Sequence, residues 1–372
     1  MSPTAVILLV GSLVAASCAL VGSFLVLRRM ALLGDAISHS VLPGIALAFL
    51  FAGERSTLPM VLGAGALGLV TVFLVELFQR TRRLREDASI GVVFPALFSL
   101  GVILISRYAS QVDLDLDCVL YGEIAYAPWD LLLVGERSLG AQALWVNGAT
   151  LLVNLLLVGL AYKELKVSTF DPELAAAMGF SPALVHYLLM SAVSLTVVGA
   201  FESVGAILVV AMLVVPPAAA YLLTDRLGVM LPLAVAIGVA SAVAGYYLAH
   251  AWDASIAGAM AAVAGGLFAV SFLASPRHGL LARLVAHRRL AARLAGRLLL
   301  LHLAEGGRPV PLATLERRFG WRRERLRRVL AGLAGAGWAR STADGVELTP
   351  AGAAEVERAG GETLAHPLAS VT

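Results

Sequence analysis

The sequence predicts an all-α polytopic membrane protein of eight or nine transmembrane helices, followed by a small α+β domain. Hydrophobic residues make up 59% of the 372 residues and charged residues only 14%, whereas soluble domains carry about 25% charged residues. The apolar residues are gathered in runs, most of them near the roughly 20 residues that cross a bilayer. Beyond Pro276 the composition changes, with sixteen arginines against eight acids.

Nine apolar runs are candidate transmembrane helices, and two of them, the second and the sixth, are short. The first run follows no basic residue and ends at Arg28-Arg29, which favours a retained span over a cleaved signal peptide. The runs are Ala5–Leu27, Ala36–Phe51, Leu58–Phe78, Ser89–Ile105, Leu144–Tyr162, Leu184–Ala200, Val204–Leu223, Met230–His250 and Ser255–Ala274.

The basic residues predict the orientation of these runs. If all nine cross the membrane, nine Lys and Arg residues fall on one side and three on the other. Positively charged loops stay in the cytoplasm, so we expect the N-terminus outside and the C-terminal tail inside. The basic side holds Arg28, Arg29, Arg80, Arg82, Arg83, Arg85, Lys163, Lys166 and Arg226, and the other side holds Arg55, Arg107 and Arg137.

An acid and an imidazole stand four residues apart at the start of the second run, as Asp35 and His39. Residues at this spacing share one face of a helix, and a carboxylate with an imidazole suits a divalent transition metal. Pro43 cannot donate to the carbonyl of His39, which leaves a further free oxygen. The alternative is structural: Asp35 caps the helix and His39 is satisfied in the interior. Spacing alone leaves both interpretations open.

The long segment 107–142 carries six acids against two arginines. An acidic vestibule would concentrate cations at a pore mouth, but a solvated strand or turn explains the alternation over 113–117 equally well. The aromatic and glycine-containing stretch 120–129 predicts an interfacial or re-entrant piece. The vestibule candidates are Asp113, Asp115, Asp117 and Glu123.

Four segments resemble the integral-membrane permeases of ABC-type importers for manganese, zinc or iron (ABC-3 type). They follow the expected order over about residues 1–275: RRMALLGDAISHSVLPG at 28–44, LYGEI at 120–124, FDPELAAAMG at 170–179 and FESVGAILVVAMLVVPPA at 201–218. The resemblance implies a fold like that of the vitamin and metal-chelate importer permeases, in the bacterial cytoplasmic membrane. It also implies a second permease copy, identical or a sister chain, a cytoplasmic ATPase dimer and an extracytoplasmic metal-binding lipoprotein.

The resemblance also implies roles for residues outside the second run. Glu202 would be a third metal-interacting residue, through its carboxylate, if the hairpin around it is re-entrant; otherwise it lies in a three-residue outer turn. Two cytoplasmic segments would contact the ATPase and couple its movements to the permease. The alternative for each segment is a short connection between helices. In the first, Asp171 and Pro172 have the pattern of an N-cap and first turn, and Gly179 that of a stop. The coupling candidates are Asp171, Pro172, Glu173, Gly179, Thr224, Asp225 and Arg226.

The chain carries no phosphate-binding P-loop, which needs Gly-Lys followed by Ser or Thr. Its lysines are Lys163 and Lys166, and neither follows glycine. We therefore expect a pore subunit that is not an enzyme, with ATP hydrolysis on a separate chain and no permanently bound cofactor. Manganese, zinc or iron would be the transported ion, since oxygen and nitrogen donors suit all three. Cys18 and Cys118 fall too far apart along the predicted topology to form a disulfide or a ligand pair.

The tail, 276–372, is predicted as a cytoplasmic domain separate from the permease domain, 1–275. Helices over Leu280–Ala304, Leu312–Phe319 and Trp321–Leu333, a hairpin over 337–348 and a closing helix give the order of a winged helix. Five arginines of its third helix face either nucleic-acid phosphates or anionic lipid. We favour membrane lipid, because a membrane-tethered domain reaches DNA with difficulty.

Two functions from different classes fit this sequence. One is the permease of a metal importer, and the other is a membrane-anchored, metal-responsive regulator with a winged-helix output domain. A regulator predicts one or a few spans, so nine apolar runs favour transport. A channel or secondary carrier is weaker, because it would not need segments for docking an ATPase.

Overall fold

The computed structural model describes residues 2–52, 57–80, 84–108, 124–134, 137–275, 279–306, 309–342 and 345–365. The chain divides into two compact units, Met1–Gly279 and Leu280–Thr372, which we call unit 1 and unit 2. The predicted outer vestibule residues Asp113, Asp115, Asp117 and Glu123, and also Cys118, lie outside the described residues.

Unit 1 is built almost entirely of helices. They are α1 (Pro3–Leu27), α2 (Ala31–Ala52), α3 (Thr57–Arg80), α4 (Glu86–Tyr108), α5 (Gln142–Leu160), α6 (Tyr162–Phe170), α7 (Pro172–Ala177), α8 (Pro182–Leu223), α9 (Leu227–Trp252) and α10 (Ile256–Ala274). A 3-10 turn, Ile124–Tyr126, and an antiparallel hairpin of β1 (Leu131–Val134) and β2 (Arg137–Ala141) precede α5.

The multi-pass membrane prediction is confirmed. Within the described residues, seven helices are long and apolar enough to cross a membrane, and α8, with 42 residues, is one of them. α2 has 22 residues, the length of a further span. It begins five residues before the predicted second run, so Asp35 lies inside the helix.

Helices α1 and α8 form the centre of unit 1 and are buried along most of their facing sides. Lipid tails are as apolar as leucine, so membrane helices associate through close packing and interhelical hydrogen bonds. Gly22 of α1 lies against the main-chain carbonyl of Leu213, and any Cβ at position 22 would overlap that carbonyl. Asn154 of α5, fully buried, donates to Ser17 of α1 and Thr196 of α8, both at 2.7 Å.

The 42 residues of α8 fold back on themselves at Gly205. Asn154 bonds to both Ser17 and Thr196, so Thr196 lies at the height of Ser17 along the axis of α1. Leu213 contacts Gly22 and therefore lies at the height of that residue. Seventeen residues of continuous helix span about 25 Å, but the five residues of α1 between these levels span only about 7.5 Å. Gly205 has φ 76° and ψ 164°, a conformation that essentially only glycine adopts. The predicted hairpin is therefore present, with its bend two to four residues beyond the predicted turn at 201–203.

The segment between α4 and α5 packs onto unit 1 where it is described. Ile124 is almost fully buried among apolar residues of the core. The main-chain N–H of Gln142 donates to the carbonyl of Asp130 at 2.8 Å, which joins the hairpin to the first residue of α5. This burial agrees with the prediction that the stretch is not a free loop.

Unit 2 has its own apolar core. It consists of α11 (Leu280–Gly306), α12 (Leu312–Phe319), α13 (Arg323–Gly335), the antiparallel hairpin of β3 (Ala339–Thr342) and β4 (Gly345–Leu348), and α14 (Pro350–Ala365). Val310 pairs with Val346 and adds a bridge to the hairpin. Leu299, Leu315 and Leu326 join three helices in the core. The predicted element order is observed, with α13 beginning two residues later than predicted.

Candidate functional site

The Asp35 and His39 side chains lie side by side on α2. His39 Nε2 is 3.5 Å from Asp35 Oδ1, and both side chains are partly exposed. Since α2 begins at Ala31, Asp35 stands in its second turn and the alternative of a helix cap is wrong. The carboxylate and the imidazole therefore share one face of the helix, as the spacing predicts, and both keep surface through which an ion can approach.

Apolar rings from α4 border the imidazole of His39. The ring centroids of Phe94 and Phe98 lie 5.6 Å and 6.3 Å from that of His39. Behind the pair, Ser40 accepts a hydrogen bond of 2.7 Å from Thr71 of α3, and both side chains are fully buried. The Asp35–His39 pair thus lies between polar residues of α2 and the aromatic rings of α4. The low local dielectric beside these rings strengthens electrostatic contacts to a cation.

Close glycine contacts hold the α2 backbone in place. A Cβ at Gly44 would stand 2.6 Å from the carbonyl oxygen of Gly63 in α3, and one at Gly101 of α4 would stand 2.7 Å from Cδ of Pro43. A Cβ at Gly34 would overlap the Leu213 side chain of α8. Helices on three sides therefore contact α2 through positions without side chains, which leaves little freedom for the turn that carries Asp35 and His39.

Glu202 lies apart from the pair. It lines a cavity of about 100 Å³ near the bend of α8, together with Tyr126, Asp130, Gln142 and Ser203. Ser203 accepts a hydrogen bond from Asn147 of α5 at 3.1 Å, which places this cavity near the start of α5. In the described part of the chain, no three His, Cys, Asp or Glu residues come close enough to share one ion. The structure thus brings Asp35 and His39 together but not Glu202.

The first coupling candidate forms a short exposed helix. Asp171 Oδ1 accepts a hydrogen bond from the N–H of Leu174 at 2.9 Å, and Pro172 follows as the first helical residue. Gly179 has φ 88° and ends the segment. The predicted N-cap, first turn and stop are confirmed. The side chains of Phe170, Leu174 and Met178, each four residues from the next, are exposed.

The second coupling candidate connects α8 and α9. The N–H of Arg226 donates to Thr224 Oγ1 at 3.3 Å, and Asp225 and Arg226 are exposed. A third contact joins the α1–α2 turn to α6: Arg28 donates to the hydroxyls of Thr169 at 3.1 Å and Ser168 at 3.3 Å. Burial lowers the pKa of the Arg28 guanidinium from its ordinary value, yet an arginine stays charged in proteins.

Sequence reasoning missed three polar features. Asp130 was counted among the acids of segment 107–142 but was not predicted as a site residue, because its place beside Glu202 on one cavity depends on the fold. The same dependence on the fold holds for Glu76 of α3, which accepts a short hydrogen bond from the Tyr187 hydroxyl of α8 and pairs with Arg80 at 3.1 Å. The buried amides Asn147 and Asn154 were absent from the predicted site. Glu76, Asn147 and Asn154 each interrupt an apolar run, and a polar residue inside such a run is the signal that could have identified them.

The sequence pattern of the ABC 3 transport family matches residues 4–275. The manganese transport system membrane protein MntD of Bacillus subtilis is 50% identical over 283 residues, which cover 76% of this chain and 96% of MntD. The zinc transport system membrane protein TroD of Treponema pallidum is 45% identical, covering 80% of this chain and 81% of TroD.

A solved structure shares the fold of unit 1. The chain matches a chain of PsaBC from Streptococcus pneumoniae in complex with Fab, with a TM-score of 0.63 and 30% sequence identity. The match covers 75% of this chain and 94% of that chain. Because the family pattern covers residues 4–275 and MntD is 50% identical over 283 residues, the chain belongs to the ABC 3 transport family.

Proposed function

We propose that this chain is the permease subunit of an ATP-binding cassette importer that moves divalent manganese, zinc or iron across the cytoplasmic membrane. The observation that carries the proposal is the Asp35–His39 pair on α2, with 3.5 Å between Oδ1 and Nε2. Relatives of this chain are named for manganese, zinc and chelated iron transport. Two donors hold a divalent ion less firmly than the four of a structural zinc site, which suits an ion that must leave again.

Glu202 would meet the ion at a separate level of the path. It shares its cavity with Asp130, so two carboxylates face one small space near the bend of α8. The acidic residues Asp113, Asp115, Asp117 and Glu123 would raise the local cation concentration before this level is reached. In this proposal the metal ion is the substrate, and the permease needs no resident cofactor.

A separate cytoplasmic ATPase dimer would drive the transport. The exposed side of α7, with Leu174 and Met178, offers an apolar contact for such a partner. The capped start at Asp171, Pro172 and Glu173 and the stop at Gly179 keep this helix short and defined. Thr224, Asp225 and Arg226 would form the second contact.

The other partners follow from the family and from the charge distribution. A second permease copy, identical or a sister chain, would complete the pore, and an extracytoplasmic metal-binding lipoprotein would deliver the ion. The excess of basic residues on one side supports an N-terminus on the outside and unit 2 in the cytoplasm.

Uptake measurements test the role of the pair. Asp35→Asn and His39→Ala should each abolish uptake of the transported metal, because each removes one of two donors. Membrane insertion and association with the ATPase should be unchanged. Asp253→Asn and His250→Ala are matched controls, since both residues are exposed at the α9–α10 turn, and they should transport normally. Full uptake by either α2 variant would contradict the proposal.

The element order of unit 2 favours one second candidate, a membrane-anchored regulator with a winged-helix output domain. Its arginine-rich α13 follows α12 across a turn at Gly320, which has φ 60°. This function predicts that loss of the chain changes metal-dependent transcription while uptake stays normal, and transcript profiling beside uptake assays decides between the two.

A further inference from the structure

Helix α11 has two apolar faces, and the described residues of unit 2 cover one of them. Leu299 and Leu303 belong to the apolar core of unit 2, and Ala295 on the same side of the helix is also buried. Roughly 150° around the helix from them, four leucines recur at spacings of four, four and three residues. These leucines are solvent-exposed by 55%, 51%, 53% and 41%, in the order Leu290, Leu294, Leu298 and Leu301. Such a stripe on a helix marks an interaction surface. We call it the leucine stripe.

Basic groups border the leucine stripe. Arg293 and Arg297 are exposed and stand one turn apart along one edge of the stripe. The same two arginines line a groove of about 1150 Å³ between α11, α13 and α14, together with Arg325 and Arg328. Glu355 is the acid on this lining. The charge beside the apolar stripe is therefore strongly positive, and its complement is an anionic partner.

The chain connects this helix closely to a transmembrane helix. α10 ends at Ala274 and α11 begins at Leu280, so five residues join them. Even a fully extended link of that length spans only about 18 Å. A basic amphipathic helix directly after a transmembrane span is the arrangement that binds anionic lipid headgroups, and leucines on its other side enter the boundary between headgroups and acyl chains.

We propose that α11 lies in the cytoplasmic leaflet, with the leucine stripe at the level of the upper acyl chains and Arg293 and Arg297 on anionic phospholipid headgroups. Unit 2 is thereby attached to the membrane surface through α11. This inference rests on the proposed cytoplasmic side of the tail. Pairing of the stripe with a second copy is less suitable, because two such helices would bring their flanking arginines together, and like charges across a helix pair repel.

The test uses the full-length protein in nanodiscs, in a Cys18→Ala and Cys118→Ala background. An environment-sensitive fluorophore is attached at Leu294→Cys, and at Thr314→Cys on the exposed side of α12 as the control. The discs contain phosphatidylcholine alone or equal parts phosphatidylcholine and phosphatidylglycerol. In the anionic discs, the label at position 294 should shift to the blue and lose access to aqueous iodide, while the label at 314 should stay accessible.

Charge reversal separates headgroup binding from simple burial of leucines. Arg293→Glu with Arg297→Glu should lower the ratio of docked to free α11 by more than about 25-fold, since each basic residue at an anionic leaflet contributes about fivefold and the introduced carboxylates are repelled by it. The matched pair Arg317→Glu with Arg318→Glu on α12 changes the net charge equally and should leave docking unaltered. Metal uptake by the same variants is measured in parallel, so a failure of the transport proposal is recorded separately.

Two results would overturn the lipid proposal. One is equal iodide access at positions 294 and 314 in anionic discs. The other is protection of position 294 that is the same in both lipids and is accompanied by disulfide crosslinking between Leu294→Cys copies, which would assign the stripe to a second copy of the chain.

Discussion

Single residues decide the geometry of unit 1 wherever two backbones approach or a helix turns back. Gly22, Gly44 and Gly101 occupy contacts in which a Cβ would meet a neighbouring backbone or ring. Gly205 has a different role, because its φ of 76° reverses the direction of α8. The chemistry is equally local: Asp35 and His39 stand together because one helix carries them four residues apart.

We expect Gly205→Ala to destabilise the protein by about 1–3 kcal/mol, the usual cost of an unfavourable backbone conformation. Thermal unfolding of the purified permease in detergent measures this loss. Metal uptake should fall with it, because the bend positions Glu202 and the cavity beside it.

Gly265→Ala is the matched control for this change. Gly265 lies in α10 with no atom within 4 Å of the added Cβ, so alanine there should be neutral or slightly stabilising, as in other helices. A Gly205→Ala protein as stable as the Gly265→Ala protein would show that the bend does not require glycine.

At the scale of elements, α7 combines a well-defined short helix with an exposed apolar side. Its N-cap and its glycine stop are fully formed, yet six residues bury only Ala175. Phe170, Leu174 and Met178 keep their apolar surface exposed. A helix this short gains little stability from its own hydrogen bonds. Its complete N-cap and C-terminal stop, together with its exposed apolar side, therefore favour contact with another chain.

Cysteine crosslinking tests this contact. Leu174→Cys and Met178→Cys, in a background without Cys18 and Cys118, should crosslink to the ATPase subunit in membranes. Trp129→Cys is exposed on the opposite, outer side of the predicted topology and should not crosslink. The reverse pattern would contradict both the docking surface and the orientation.

At the scale of the whole molecule, the two units have separate cores. The buried cluster of unit 1 ends at Ala264 and that of unit 2 begins at Leu299. The family pattern likewise ends at residue 275. The charge differs as well: the tail carries a net +8, while the whole chain carries +3, which leaves −5 before Pro276.

We predict that truncation after Ser275 leaves a permease that still transports metal. Ser275 itself is kept, because its hydroxyl donates to the carbonyl of Leu222 at 2.5 Å. Uptake by the truncated chain, compared with that of the full chain at equal membrane abundance, measures the effect, and only regulation or stability should change. Complete loss of uptake by a correctly inserted truncation would make unit 2 part of the transport machinery.

The sequence predicted those features that depend on spacing along one element. The membrane helices followed from the lengths of the apolar runs, the Asp35–His39 pair from the helical period, and the α7 cap from Asp171-Pro172. Its errors fell where spacing carries no information. The alternative of Asp35 as a cap failed because α2 starts at Ala31, and the bend of α8 moved from 201–203 to Gly205.

What the sequence determined by itself is therefore local and compositional: the class of protein, the membrane spans, the charged tail and the neighbours on each helix face. These follow from hydropathy and from a period of 3.6 residues, which need no knowledge of other segments. Only the tertiary structure decided that Glu202 lies with Asp130 rather than with Asp35, and that the leucine stripe of α11 is left uncovered by the residues that the structure describes. Both depend on contacts between residues distant in the chain, and those are set by how the helices pack together.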